Sequence, residues 1–219
     1  MSLKLENISL SFNGNNNLLS ISDIGFSLGI HCLWGVSGSG KTSFLRLVAG
    51  RPFECKVCGN LKIDSKTFCL SSDTDMANFN DKYVSALYQD NFLIDDFDVK
   101  ENLLLPYFLH RDDYDVSELN YLLDQLKLEH LLSKDITQIS RGEAQRVRIA
   151  RALLFSKKIL VLDEPLVYLD KDLKAKCFDL IKSWVDDKKL ISFFSTHDQN
   201  LKESTDFTSI IKFEDGLEI

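Results

Sequence analysis

The chain has 219 residues, 44% apolar and 27% charged, with a net charge of −7. This is globular composition and excludes a wholly disordered chain. A chain of this length buries roughly 70% of its unfolded surface, so it needs no disulfide or metal staple, and its acidic balance argues against nucleic acid as a partner.

Met1 to Glu6 alternates apolar and polar residues with no apolar leader, and no run reaches the roughly 18 apolar residues of a membrane span. The expectation is a chain without a secretory signal or a bilayer crossing. Leu3, Leu5, Ile8, Leu10 and Phe12 nearly alternate, which predicts a strand over 3–12. Asn13-Gly14 through Asn17 is a turn cluster, and 19–28 reads as a second strand. Ile30 to Trp34 is a buried strand ending at Gly35. Thr42 to Ala49 is helical and stops at Gly50, with Pro52 beyond. Residues 60–70 read as one edge strand and Val84 to Tyr88 as a short buried one. From Val99 to Leu132 leucines recur at helical spacing, interrupted by Pro106 and by the acidic stretch Asp112 to Asp115. This predicts a helical insertion between two α/β halves. Gly142 to Phe155 is a helix, and the unbroken apolar run Ile159 to Leu162 suits a parallel strand covered on both faces. An amphipathic helix follows over Lys171 to Asp186, then a buried strand over Leu190 to Ser195. Asp215-Gly216 predicts a tight turn between two terminal strands.

Five cysteines, an odd number, favour reduced thiols over a disulfide framework. Cys55 and Cys58 form a C-x-x-C, but no second pair or spaced histidine completes the about four ligands that zinc requires.

Gly35-Val36-Ser37-Gly38-Ser39-Gly40-Lys41-Thr42 fits G-x-x-x-x-G-K-[ST] between a predicted strand and a predicted helix, the setting this motif requires. Its glycines let backbone N–H groups curl around a phosphate chain, and the helix start adds positive charge. Lys41 can reach the terminal phosphates, and the Thr42 hydroxyl can bind Mg²⁺. Such an enzyme also needs a carboxylate at the end of a second strand. Ile159 to Leu162 ends in Asp163, on the Mg²⁺ side, and Glu164, placed to polarise a water.

Further elements follow in a fixed order. Gln89 comes after a strand and before the helical insertion. Ile139-Ser140-Arg141-Gly142-Glu143-Ala144-Gln145-Arg146 opens the segment that runs to Leu153 along the helix Gly142 to Phe155. Asp170 closes Leu166-Val167-Tyr168-Leu169-Asp170, and His197 follows the last core strand. In this order the chain resembles the ATP-binding cassette (ABC) ATPases over nearly its whole length. The resemblance implies an α/β fold: a P-loop NTPase core with a parallel sheet, an N-terminal antiparallel β portion and an inserted helical subdomain. Residues 1–219 then form one nucleotide-binding domain, with 1–90 and 155–219 as core and 91–154 as the helical part carrying the signature.

The resemblance also implies that two cassettes sandwich two ATP molecules. Gly35, Ser37, Gly38, Ser39, Gly40, Lys41, Thr42 and Ser43 would hold the phosphates, and Phe12 would stack on adenine. Thr42, Gln89 and Asp163 would hold Mg²⁺. Ser140 and Gly142 of the second chain would close on the γ-phosphate, beside Asp170. Glu164 would activate water, with Lys41 and His197 as the other catalytic groups. Arg141 replaces the first signature glycine and Val167 the usual serine, changes that bear on closure and turnover rather than on ATP binding; Glu143 in place of the signature glutamine is a mild change. Arg146, Arg148 and Arg151 read as a structural helix face.

The implied function is the ATPase subunit of an ABC transporter, on the cytoplasmic face of the membrane beside a separate membrane-spanning subunit. The stretch Asn91 to Pro106 resembles the lipoprotein-release and macrolide-export branch. A soluble ABC ATPase acting on ribosomes or DNA, and a cassette that binds ATP with little turnover, are the alternatives. For Phe92, Leu93, Ile94 and Phe97 the resemblance favours a groove that receives a short helix of the membrane subunit; the alternative is that all four are core.

Overall fold

The computed structural model describes residues 1–12, 16–51, 56–89, 93–110, 113–203, 206–213 and 217–218. In chain order the strands are β1 (Leu3–Phe12), β2 (Asn16–Phe26), β3 (Gly29–Gly35), β4 (Lys56–Ile63), β5 (Lys66–Cys69), β6 (Val84–Leu87), β7 (Ile159–Leu162), β8 (Ile191–Thr196), β9 (Ser209–Phe213) and β10 (Leu217–Glu218). The helices are α1 (Lys41–Val48), α2 (Asp73–Tyr83), α3 (Val99–His110), α4 (Val116–Gln125), α5 (Arg141–Leu154), α6 (Lys171–Lys188) and α7 (Gln199–Lys202).

The strands form two sheets. The N-terminal one is antiparallel, in the order β2-β1-β4-β5. The other runs β10-β9-β3-β8-β7-β6, parallel throughout except for β10. Every residue of β7 and β8 is buried. Along β7 the side chains divide strictly between two cores. Ile159 and Val161 join the cluster that holds Phe44 and Leu47 of α1 and the β1 residues Leu3 and Leu5. Leu160 and Leu162 join the cluster that holds α5 and α6. This is the period-two alternation of a strand covered on both faces, and each such side chain contributes about 1.5–3 kcal/mol of burial. Leu103 and Leu104 of α3 and Leu119, Leu122 and Leu123 of α4 belong to the same cluster as Leu160 and Phe194. The inserted helices therefore extend the core on one sheet face.

Several local expectations change. The single strand expected over 60–70 is a hairpin: Asp64 takes a left-handed turn (φ 53) and β5 folds back with Asn60 opposite Cys69. Helix α2 is an addition. Its signals are Ser72, whose side chain accepts from the Asp75 N–H, and apolar Met76, Phe79 and Tyr83 on one face. Pro106 lies inside α3 rather than ending it. Packing against α5, including a bond from the Tyr107 hydroxyl to the Leu154 carbonyl, holds the helix despite the lost backbone donor. Asp115, from the acidic stretch, caps α4. Leu93 is 6% exposed and packs in the core, so it lines no groove; Ile94 is exposed and Phe97 half-buried. Phe92, Cys55 and the Asp215-Gly216 turn lie outside the described residues. Among the described residues no helix is long and apolar enough to cross a membrane, and no cluster of His, Cys, Asp or Glu is arranged to hold a metal.

Candidate nucleotide site

Strand β3 ends at Gly35 against the neighbouring strand β9. A Cβ on Gly35 would lie 2.6 Å from the Phe213 carbonyl oxygen, so only glycine lets the chain leave the sheet here. The loop then climbs to Gly40 (φ 103), the N-cap of α1, which offers no side-chain cap. The first N–H groups of α1 are thus left for a ligand. Lys41, 5% exposed, folds back over the loop and donates to the carbonyls of Gly35 and Val36 at 2.8 Å each. Burial lowers its pKa, while the charges of Glu164 and Asp163 pull it back up.

The second wall comes from the ends of β7 and β8. Their parallel register sets Leu162 opposite Phe194, so Asp163 and Ser195 emerge side by side. Ser195 Oγ donates to Asp163 Oδ1 at 2.6 Å and accepts the Glu164 N–H at 2.8 Å. The Asp163 N–H donates to the Leu87 carbonyl at 2.8 Å. Asp163 is therefore fixed with its other oxygen, Oδ2, accepting from Thr42 Oγ1 at 2.9 Å. This bond ties the phosphate loop to the strand-end acid. His197 Nδ1 lies 3.2 Å from Glu164 Oε1.

Between the two walls is a cavity of ≈ 540 Å³ lined by Ser37, Lys41, Thr42, Gln89, Glu164 and His197, together with Gly38, Gly40 and Ser43. Ser39 is not part of that lining; its hydroxyl is buried toward Gly35. Phe12 ends β1, and its side chain lies outside the described residues. Ser140, Gly142 and Asp170 do not line the cavity either. Ser140 caps α5 in a reciprocal box: its backbone N–H and hydroxyl both donate to Glu143 Oε2 at 2.7 Å, and its hydroxyl accepts the Glu143 N–H at 3.2 Å. These bonds hold the Glu143 carboxyl below its ordinary pKa. Gly142 packs on the 164–169 loop, where a Cβ would sit 3.2 Å from the Tyr168 carbonyl oxygen, and the Arg141 guanidinium lies 5.9 Å from the Tyr168 ring centre. Asp170 caps α6 by accepting from the Leu173 N–H. Ser195, the hub of the acid wall, escaped the sequence reading. Its signal, a serine ending a buried strand, acquires meaning only once β8 is known to lie beside β7.

A glycine-framed phosphate loop, a strand-end Asp-Glu pair and a capped signature helix on this two-sheet fold define a P-loop ATPase of the cassette type. The chain belongs to the ABC transporter family, as an ATP-binding subunit that hydrolyses ATP. The family model described as "ABC transporter" matches residues 27–167. The lipoprotein-releasing system ATP-binding protein LolD of Ehrlichia canis (strain Jake) is 31% identical over 91% of this chain and 90% of its own length. That of Ehrlichia ruminantium (strain Gardel) is 32% identical over 97% and 94%. Among solved structures, the dimeric MJ0796, a bacterial ABC transporter cassette, has the same fold with a TM-score of 0.81 at 24% identity, over 99% of this chain and 97% of that one. These relatives do not favour a ribosome- or DNA-directed ATPase.

Proposed function

We propose that the chain powers a separate membrane-spanning subunit by closing on a second cassette around ATP, from the cytoplasmic face of the membrane. The observation that carries the ATP site is the Thr42–Asp163 bond, which brings phosphate loop and strand-end acid to one point, and the dimeric MJ0796 cassette supports closure on a second copy. Thr42, Asp163 and Gln89 offer only oxygen donors to a hard cation, which suits Mg²⁺, and these three would hold it. When bound, the ion offsets charge on the phosphates. Lys41 and the backbone of residues 35–43, Ser39 included, cradle the phosphate chain, with the side chains of Ser37 and Ser43 beside it, and Phe12 stacks on the base. Glu164 polarises the attacking water, and His197, in contact with it, orients the terminal phosphate. Ser140, Gly142 and Asp170 do not line this chain's own cavity, which suits service to a partner cassette. Residues 1–219 act as one nucleotide-binding domain, with 91–154 as its helical part. The names of the LolD relatives support a lipoprotein-releasing system as the setting.

Glu164→Gln tests the chemistry and the assembly together. It should keep ATP binding, lose about 10²–10⁴-fold of turnover, and sediment as a dimer with Mg-ATP and as a monomer without. Undiminished phosphate release, or one mass in both conditions, overturns the reading. Chain purified from detergent-solubilised membranes should carry a membrane-spanning protein with it.

A further inference from the structure

Arg148, which the sequence places in a structural arginine face, has a particular neighbour. Its Nη1 donates at 3.3 Å to Oε1 of Gln145, one turn earlier on α5. Gln145 is 1% exposed, and its Nε2 donates at 2.7 Å to the Pro165 carbonyl. A glutamine amide can face either way, but a guanidinium only donates and a carbonyl only accepts. Arg148 and the Pro165 carbonyl therefore impose the same orientation on the amide, its oxygen to the cation and its NH₂ to Pro165.

Pro165 directly follows Glu164. The loop it belongs to needs holding, because it begins at Glu164 (φ 48) and includes Tyr168 (φ 66), left-handed conformations that L-residues rarely keep unaided. One side is held by Ser195 through the Glu164 N–H. The other side is held by α5, through Gln145 on the Pro165 carbonyl. Arg148 also lines a cavity of ≈ 210 Å³ behind this loop, shared with Gln89, Gln145, Asp163, Glu164 and Tyr168. Among the described residues no carboxylate forms an ion pair with it, and its buried Nε has no hydrogen-bond partner. A partly buried cation without an acid costs stability; setting the Gln145 amide gives it a use.

We infer that Arg148 is a positioning residue for ATP hydrolysis: through Gln145 it holds the Pro165 carbonyl, and with it the Glu164 carboxylate, in place. The inference rests on Glu164 as the group that polarises water. It is tested on the purified chain by kcat, KM for ATP, nucleotide binding and thermal melting of Arg148→Met, Arg148→Lys, Gln145→Met and the double variant Gln145→Met/Arg148→Met. Arg148→Met keeps length and loses the donors, so it should lower kcat by about ten- to a hundredfold with KM for ATP and nucleotide binding near wild type. Arg148→Lys, which also only donates, should recover most of that loss. In the Gln145→Met background Arg148→Met should add nothing further. Wild-type kcat in Arg148→Met, additive losses in the double variant, or a loss that follows a lowered melting temperature without rescue by lysine would each overturn it. Glu164→Gln, run alongside, separates two failures. If it turns over normally, the role of Glu164 is wrong. If it is slow while Arg148→Met is normal, only this inference falls.

Discussion

Two helix starts in this molecule are built in opposite ways. Helix α1 begins at a left-handed glycine, Gly40, with no side-chain cap, and its first N–H groups face a cavity. Helix α5 begins at Ser140, whose hydroxyl and N–H are both engaged by the Glu143 carboxylate in a closed box. The first end is stable because glycines and the Lys41 fold-back brace the loop from behind, leaving its positive pole unfilled for an anion. The second end already has its anion, supplied by its own third residue. The uncapped start offers its N–H groups to a phosphate as they stand, whereas at α5 the box takes up the Ser140 and Glu143 N–H groups and sets a carboxylate beside the others. A nucleotide that approaches α5 must contend with Glu143, where the ABC family usually carries a neutral glutamine.

The contrast can be broken most forcefully at the open end. Lys41→Ala removes the cation over the phosphates and should weaken ATP affinity by about ten- to a hundredfold, the worth of a charge-assisted hydrogen bond. Titration with a fluorescent ATP analogue measures it, and unchanged affinity would contradict the cradle. Gly35→Ala attacks the brace instead. Its Cβ meets the Phe213 carbonyl and Ser39 Oγ, so unfolding in denaturant should show a loss of about 1–3 kcal/mol. At the closed end, Glu143→Gln keeps an acceptor for Ser140 and removes the charge. It should cost under about 1 kcal/mol of stability while tightening the ATP-driven dimer of Glu164→Gln by about two- to fivefold, as the helix-pole charge term implies. Sedimentation at graded protein concentration reads this, and an unchanged dimer constant would mean that no phosphate approaches α5.

The smallest effect is in pH. The Glu143 pKa is lowered by its Ser140 bonds, so its stabilisation is present above the ordinary glutamate value of about 4.3 and is lost as pH falls through the lower folded value. The melting-temperature gap between wild type and Glu143→Gln should therefore be widest near neutrality and shrink in acid. A gap that widens in acid would reverse the sign assigned here.

Much of the open end was legible because its chemistry is local. Gly35, Gly40, Lys41 and Thr42 act through backbone freedom and a fixed spacing, both of which the residue order states. The strand Ile159 to Leu162 was legible for a similar reason, since an unbroken apolar run of that length has few other uses. Ser195 and Gln145 were not, because each acts on a residue that only the fold brings near: Asp163 across a parallel register, Pro165 across a helix–loop contact. Pro106 reads as an interruption because the packing of α3 on α5, which offsets its local cost, is not local in sequence. The hairpin at Asp64 was hidden by two strands whose apolar patterns run on as one, and α2 by a mostly polar helix that shows only three apolar contacts on its buried face.

The shared core of α3, α4 and the sheet face has a consequence during synthesis. Leu103, Leu104 and Leu122 leave the ribosome well before Leu160 and Phe194, the strand residues that complete their packing. Until those strands emerge, the nascent helices carry an apolar face with one wall missing, the kind of surface that chaperones hold and that aggregates when they do not. A ribosome stalled between α4 and β7 should therefore expose a chain that cannot yet fold, however stable the finished protein is.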